Sequence, residues 1–85
     1  MKSDHQSPYI ERVQMILAES IQVPTDMVSP DLTFGDLPQW DSLGHMEVMM
    51  RLEEEFGIEI NPDTIANLIS VPEICTYLEN NSHGG

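Results

Sequence analysis

Q-W-D-S-L-G-H-M-E-V-M-M-R-L-E-E-E-F-G, residues 39–57, is the stretch that decides the fold. It starts beside Asp41, a good helix cap, contains no proline, and ends on Gly57, which suits a C-terminal stop. The spacing predicts a helix from about Ser42 to Phe56. Placed at about 100° per residue, its apolar positions separate into two sets. Val48, Met49, Leu52 and Phe56 form one stripe, the expected core face. Leu43, Met46 and Met50 fall on nearly the opposite side, flanked by Glu47, Glu53 and Glu54. A helix in a small bundle buries one face, so the second strip is expected to be exposed. An exposed apolar strip edged with carboxylates has the pattern of a docking surface, and flexible thioethers adapt to several partners. The plainer alternative is that Leu43 and Met46 pack against the preceding loop; the pattern favours docking.

Outward from this helix, proline and glycine divide the chain. Ser7-Pro8 reads as cap and first helical position, and Ile10, Val13, Ile16, Leu17 and Ile21 recur at helical spacing. This helix should stop near Gln22, before Pro24. Residues 23–40 hold Pro24, Pro30, Gly35 and Pro38, which forbid a long helix. They also hold Val28, Leu32, Phe34, Leu37 and Trp40, too apolar for a free linker. A long connection packed across the core is expected, with room for one short helical turn. Asn61-Pro62 starts a short helix near 62–68. S-V-P-E at 70–73 is a capping box, with Ile69 and Ile74 placed as its hydrophobic staple. The last helix turns Val71, Ile74, Cys75 and Leu78 inward and frays into N-N-S-H-G-G. The expectation is an all-α, four-helix bundle with a long first loop and a short third helix. One domain over 8–80 lies between flexible ends at 1–7 and 81–85.

Eighty-five residues support one compact core but hardly a deep pocket as well. Fifteen acids face three bases, Lys2, Arg12 and Arg51, for a formal charge of -12. That field repels nucleic acid and anionic lipid and favours basic protein surfaces, or else it only keeps a small chain soluble. Cys75 is the single cysteine, so no internal disulfide forms and no cysteine-based zinc site is plausible. Its inward position predicts a buried, inert thiol. No apolar run approaches the roughly 18 residues of a membrane span. M-K-S-D-H-Q-S-P lacks the apolar segment of a signal peptide, so a cytoplasmic monomer without membrane insertion is expected.

Asp41, Ser42 and His45 raise the question of a hydrolase, since Ser42 and His45 sit one helical turn apart. No G-x-S-x-G elbow precedes the helix, and no glycine-rich segment offers an oxyanion hole. Asp31, Asp36 and Asp41 are five apart, unlike a calcium loop, and Glu53-Glu54-Glu55 reads as a solvated face. His5 and His83 lie near the ends, and His45 has no evident ligand partner. No catalytic and no metal-binding residues are expected. Ser42 is then either a silent first-turn serine beside its cap or a handle that another enzyme modifies.

D-S-L at Asp41 to Leu43, followed by E-V-M-M-R-L-E-E-E-F-G-I-E-I from Glu47 to Ile60, resembles the acyl carrier protein family, including its peptidyl carrier relatives. The likeness extends more weakly through the long loop and the S-V-P-E helix start. It implies that Ser42 is the attachment serine for 4′-phosphopantetheine, within the motif of Asp41 and Leu43. A phosphopantetheinyl transferase would add the group using magnesium and coenzyme A. The arm would carry acyl or aminoacyl groups as thioesters, in fatty-acid, polyketide or specialised acyl-transfer biosynthesis. The chain itself would be non-catalytic, serving acyl- or aminoacyl-loading and acyl-transfer enzymes with basic docking patches. Leu43, Met46, Glu47, Met50, Glu53 and Glu54 would occupy the helix that those enzymes use. Val48, Met49, Leu52 and Phe56 would line a crevice able to shelter a bound chain. The other reading is an acidic helical interaction adaptor with no arm. Trp40, Gly44, His45 and Arg51 depart from the pattern of fatty-acid carriers and look closer to carriers of specialised pathways.

Overall fold

The computed structural model describes residues 7–81. His5, His83 and most of the two expected flexible ends lie outside that range. Among these residues there are four helices, α1 (Ile10–Ile21), α2 (Ser42–Phe56), α3 (Pro62–Asn67) and α4 (Val71–Asn81), with a short 3-10 turn at Thr25–Met27 in the first loop. The expected all-helical bundle is what forms. An isolated antiparallel bridge between Thr33 and Ser70 is the one piece of β pairing among the described residues.

α1 starts later than Ser7-Pro8 suggests. Ser7 Oγ accepts the Tyr9 N–H at 3.1 Å, and the Ser7 carbonyl accepts from Ile10 at 3.1 Å. The serine therefore caps a tight entry turn, and the first α-type bond runs from Val13 to the Tyr9 carbonyl at 2.9 Å. Val13, Ile16, Leu17 and Ile21 are buried, as the periodicity predicts. At the other end Gln22 adopts φ 61°, ψ 53°, and the N–H groups of Gln22 and Val23 both return to the Ala18 carbonyl. That is a left-handed stop made without glycine, which costs about 1–2 kcal/mol for a residue carrying a Cβ.

The first loop crosses the core and is tied down along its length. Val28, Leu32 and Trp40 are buried and Leu37 is partly so, whereas Phe34 stays exposed at the edge. Gln14 on α1 donates to the Val28 carbonyl at 2.6 Å. Farther along, Phe34 donates to the Ile69 carbonyl at 2.7 Å, and Val71 donates to the Leu32 carbonyl at 2.9 Å. The loop thereby satisfies an N–H in the first turn of α4, which has no partner inside its own helix.

Side chains complete the other caps. Asn61 Oδ1 accepts both the backbone N–H and the hydroxyl of Thr64 at 2.9 Å, fixing α3. Ser70 Oγ accepts from Glu73 N–H at 3.2 Å, but Glu73 reaches back to Ile69 N–H at 3.3 Å, not to Ser70. The box is therefore offset by one residue. Ile69, expected in a staple with Ile74, is held by its backbone in the bridge and leaves its side chain exposed, while Ile74 is buried. α4 also runs through Asn80 and Asn81, where fraying was expected. Asn81 Nδ2 donates to the Tyr77 carbonyl at 2.8 Å and so occupies one end-of-helix acceptor.

Gln22 is exposed and makes no side-chain hydrogen bond among the described residues, so its strain is removable. Gln22→Gly is expected to stabilise the fold by about 0.5–1 kcal/mol, read as a higher urea midpoint at unchanged slope.

Candidate functional site

Ser42 is the first residue of α2, and Asp41 caps it in extended conformation, its Oδ1 accepting the Gly44 N–H at 2.9 Å. Ser42 is exposed, and its hydroxyl has no hydrogen-bond partner among the described residues. The backbone N–H groups of Ser42 and Leu43 are likewise unpaired there. The helix thus starts with a free hydroxyl beside two spare donors, at the end where the dipole favours an anion.

The outer strip continues from that point. Leu43 is 83% exposed, Met46 44% and Met50 51%, so the first loop leaves all three open. Glu53 and Glu54 are exposed beside them and Glu47 is half-buried. Arg51 lies on the α1 side of this face. Its guanidinium is 3.4 Å from Glu19 on α1 and 3.5 Å from Glu47 one turn back. Arg51 Nε is buried without a hydrogen bond, so the Glu47 contact is one of charge alone. The residue ties α2 to α1 and offsets two of the acids near the site.

His45 lies opposite, inside the core. It is 6% exposed, and Trp40 is 1% exposed. The Trp40 indole N–H donates to His45 Nδ1 at 3.1 Å, and His45 Nε2 lies 2.8 Å from the Ile65 carbonyl on α3. An indole N–H can only donate and a carbonyl can only accept, so these partners require the neutral ring protonated on Nε2. Phe34 completes the cluster, its ring centroid 5.3 Å from His45 and 5.9 Å from Trp40. Both His45 nitrogens are therefore committed to structure, and the Asp41 carboxylate is committed to capping. The apparent triad is not assembled.

Gly44 follows from the same packing. A Cβ on it would stand 2.7 Å from the Gln39 carbonyl oxygen and 3.0 Å from Ile21 Cγ2. Backbone and α1 approach too closely here for any side chain, whether acidic or apolar.

The inward stripe divides in two. Val48, Met49 and Leu52 are wholly buried. Phe56 is half-buried at the far end of α2, where its ring meets Tyr9 edge-on at 5.6 Å and the Arg12 guanidinium stands 5.9 Å above it. Arg12 also pairs with Glu55. A hollow of about 520 Å³ adjoins Leu43 and Gly44, between the end of α1 and the start of α2, and Glu19, Gln39 and Arg51 also line it. None of the four stripe residues does.

Comparison with known proteins bears on what this arrangement serves. A family model described as the phosphopantetheine attachment site matches residues 11–78. An acyl carrier protein of Thermosynechococcus vestitus is 34% identical over 76 residues, covering 89% of this chain and 94% of the relative. An acyl carrier protein of Helicobacter pylori strain 26695 is 35% identical over 71 residues, covering 84% of this chain and 91% of the relative. The chain belongs to the acyl carrier protein family.

Its role is accordingly that of a carrier, and its prosthetic group is 4′-phosphopantetheine. The chemistry of the α2 N-terminus fits such a group, because its unpaired N–H groups and the positive end of the dipole would favour the charge of a phosphodiester held there. Among the described residues no helix is long and apolar enough to cross a membrane. Three departures from the fatty-acid carrier pattern also gain a physical cause. Trp40 and His45 are one hydrogen-bonded pair, and Gly44 is the residue that lets the Gln39 carbonyl come close. Cys75 is buried on the inner side of α4. Burial pushes its thiol above the ordinary value of 9.0, a hydrogen bond with Ser7 pulls it back, and Glu79 adds to the rise.

Two outcomes follow from this packing. Gly44→Ala is expected to lose about 1–2 kcal/mol in a urea titration, the clash outweighing a helix-propensity gain of about 1 kcal/mol. The folded state favours the Cys75 thiol over its thiolate, so the stability this contributes is complete below the free thiol's value and falls as pH rises through the folded one. Iodoacetamide at pH 8 should label Cys75 at least about tenfold more slowly in the native chain than in urea.

Proposed function

We propose that Ser42 is the residue on which this carrier holds its 4′-phosphopantetheine, and that the outer face of α2 is where partner enzymes dock. The observation that carries the reading is the Ser42 hydroxyl, exposed and unbonded at the first turn of α2 between its Asp41 cap and the open Leu43. The attached group supplies a terminal thiol that holds acyl or aminoacyl cargo as a thioester. Ser42 needs no base of its own, and His45, the histidine one turn along the helix, cannot serve as one because it is buried and both its nitrogens are engaged. A phosphopantetheinyl transferase therefore has to activate the hydroxyl. The chain contributes an accessible oxygen, a helix end that accommodates the phosphate charge, and a surface to grip.

That surface is Leu43, Met46 and Met50 with Glu47, Glu53 and Glu54. The apolar side chains seat a partner beside the arm, and the acids steer its Arg/Lys patch. Arg51 offsets Glu47 and Glu19, which leaves Glu53 and Glu54 as the uncompensated charges of the strip. Fast, salt-dependent association suits a protein that serves several enzymes in turn. The acyl- or aminoacyl-loading and acyl-transfer enzymes expected as partners would each read this one helix. The chain would itself catalyse nothing.

Incubation with coenzyme A, magnesium and a permissive transferase is expected to add one phosphopantetheinyl mass to the wild type and none to Ser42→Ala, which should keep its helical circular dichroism. An unchanged wild-type mass with several transferases, together with partner binding that survives Ser42→Ala at full affinity, would point to an acidic adaptor without an arm.

A further inference from the structure

Building on the Ser42 carrier reading, we propose that His45 shuts the core against whatever the arm carries, so that cargo stays outside the bundle. Going inward from Ser42, His45 is the first buried residue of α2, and Val48, Met49 and Leu52 follow it on the same face. A chain tethered at Ser42 and entering between α2 and α3 along this stripe meets His45 before Val48, Met49 or Leu52. There the path is closed by hydrogen bonds as well as by packing. Nδ1 holds the Trp40 indole from the first loop, and Nε2–H holds the Ile65 carbonyl of α3. Phe34 lies against both rings.

Admitting a chain requires α3 to leave α2 or the imidazole to swing aside. Moving α3 strands the His45 Nε2–H and the Ile65 carbonyl, and swinging the imidazole aside strands the Trp40 indole donor as well, in an apolar surrounding where unsatisfied groups are most costly. An aliphatic residue at position 45 would only have to repack. The stripe behind it is also closed to solvent, with Val48 and Leu52 wholly buried. The cargo suited to such a carrier is a short or polar acyl or aminoacyl group. Water tolerates such a group, whereas a long hydrocarbon loses free energy with every exposed methylene.

The test uses the full chain loaded by a phosphopantetheinyl transferase from acetyl- or octanoyl-coenzyme A, with loading confirmed by mass. The two wild-type forms are expected to share one Tm and to show the same Val48 and Leu52 methyl resonances and the same Trp40 indole N–H resonance. Sheltering a chain in the folded state alone would raise the Tm. His45→Thr removes the relay and opens space. In that variant octanoyl, but not acetyl, should raise the Tm by several degrees and shift the Val48 and Leu52 methyls. A wild-type octanoyl form that melts higher than its acetyl form, with those methyls shifted, overturns the proposal. So does a folded His45→Thr chain that responds to octanoyl no more than the wild type. The wild-type comparison stands whether or not the variant folds. A chain that gains no mass from either coenzyme A fails the Ser42 reading, and this proposal with it.

Discussion

The indole N–H of Trp40 is buried and needs an acceptor, and the acceptor is His45 Nδ1. Leaving such a donor unpaired costs about 1–3 kcal/mol, a large part of the stability of a domain this small. Much of the region around Ser42 is arranged by that requirement. It orients the imidazole so that Nε2–H reaches the Ile65 carbonyl, which fastens the short α3 to α2. It fixes the end of the first loop, and the Gln39 carbonyl just before Trp40 then lies so close to α2 that position 44 has no room for a Cβ. With loop, α1 and α3 gathered on the inner side, Ser42 and Leu43 are left on the outer side. The exposure of the hydroxyl thus follows from a hydrogen bond made on the other face of the helix.

The electrostatics of the outer face have a similar local logic. A formal charge of -12 would act as a diffuse field if it were spread evenly. Arg51 breaks the evenness by holding Glu19 and Glu47, while Glu53 and Glu54 keep their charge in water. At the far end Arg12 is engaged by Glu55 and Phe56. Among the described residues both arginines are thus turned toward the chain's own acids, and the strip beside Ser42 stays negative.

What could be read from the sequence was what depends on near neighbours. Asp41, Asn61 and Ser70 each cap a residue three positions on, and Gly57 stops α2 at φ 65°. The two apolar faces of α2 also follow from angle alone. The offsets at Ser7 and Glu73 arose where a tight turn or a distant loop took the bond that the local pattern assigned elsewhere. His45 was the larger omission, because its second partner lies twenty residues away. A signal was nevertheless present: His45 precedes Val48, Met49 and Leu52 by three, four and seven residues, which puts it on their stripe. Gly44 left no such signal, since a close approach of Gln39 and Ile21 leaves no trace in periodicity.

The bond from Val71 to the Leu32 carbonyl has a consequence for how the chain can be divided. Its ends lie almost half the sequence apart, so the loop must close before α4 gains that partner, and closure entropy is spent before the contact returns anything. α4 is therefore not a cassette that can be grafted or cut away by itself. A break in the first loop would unseat the start of the last helix, and the bundle is bound into one cooperative unit through a segment that is itself almost without regular structure.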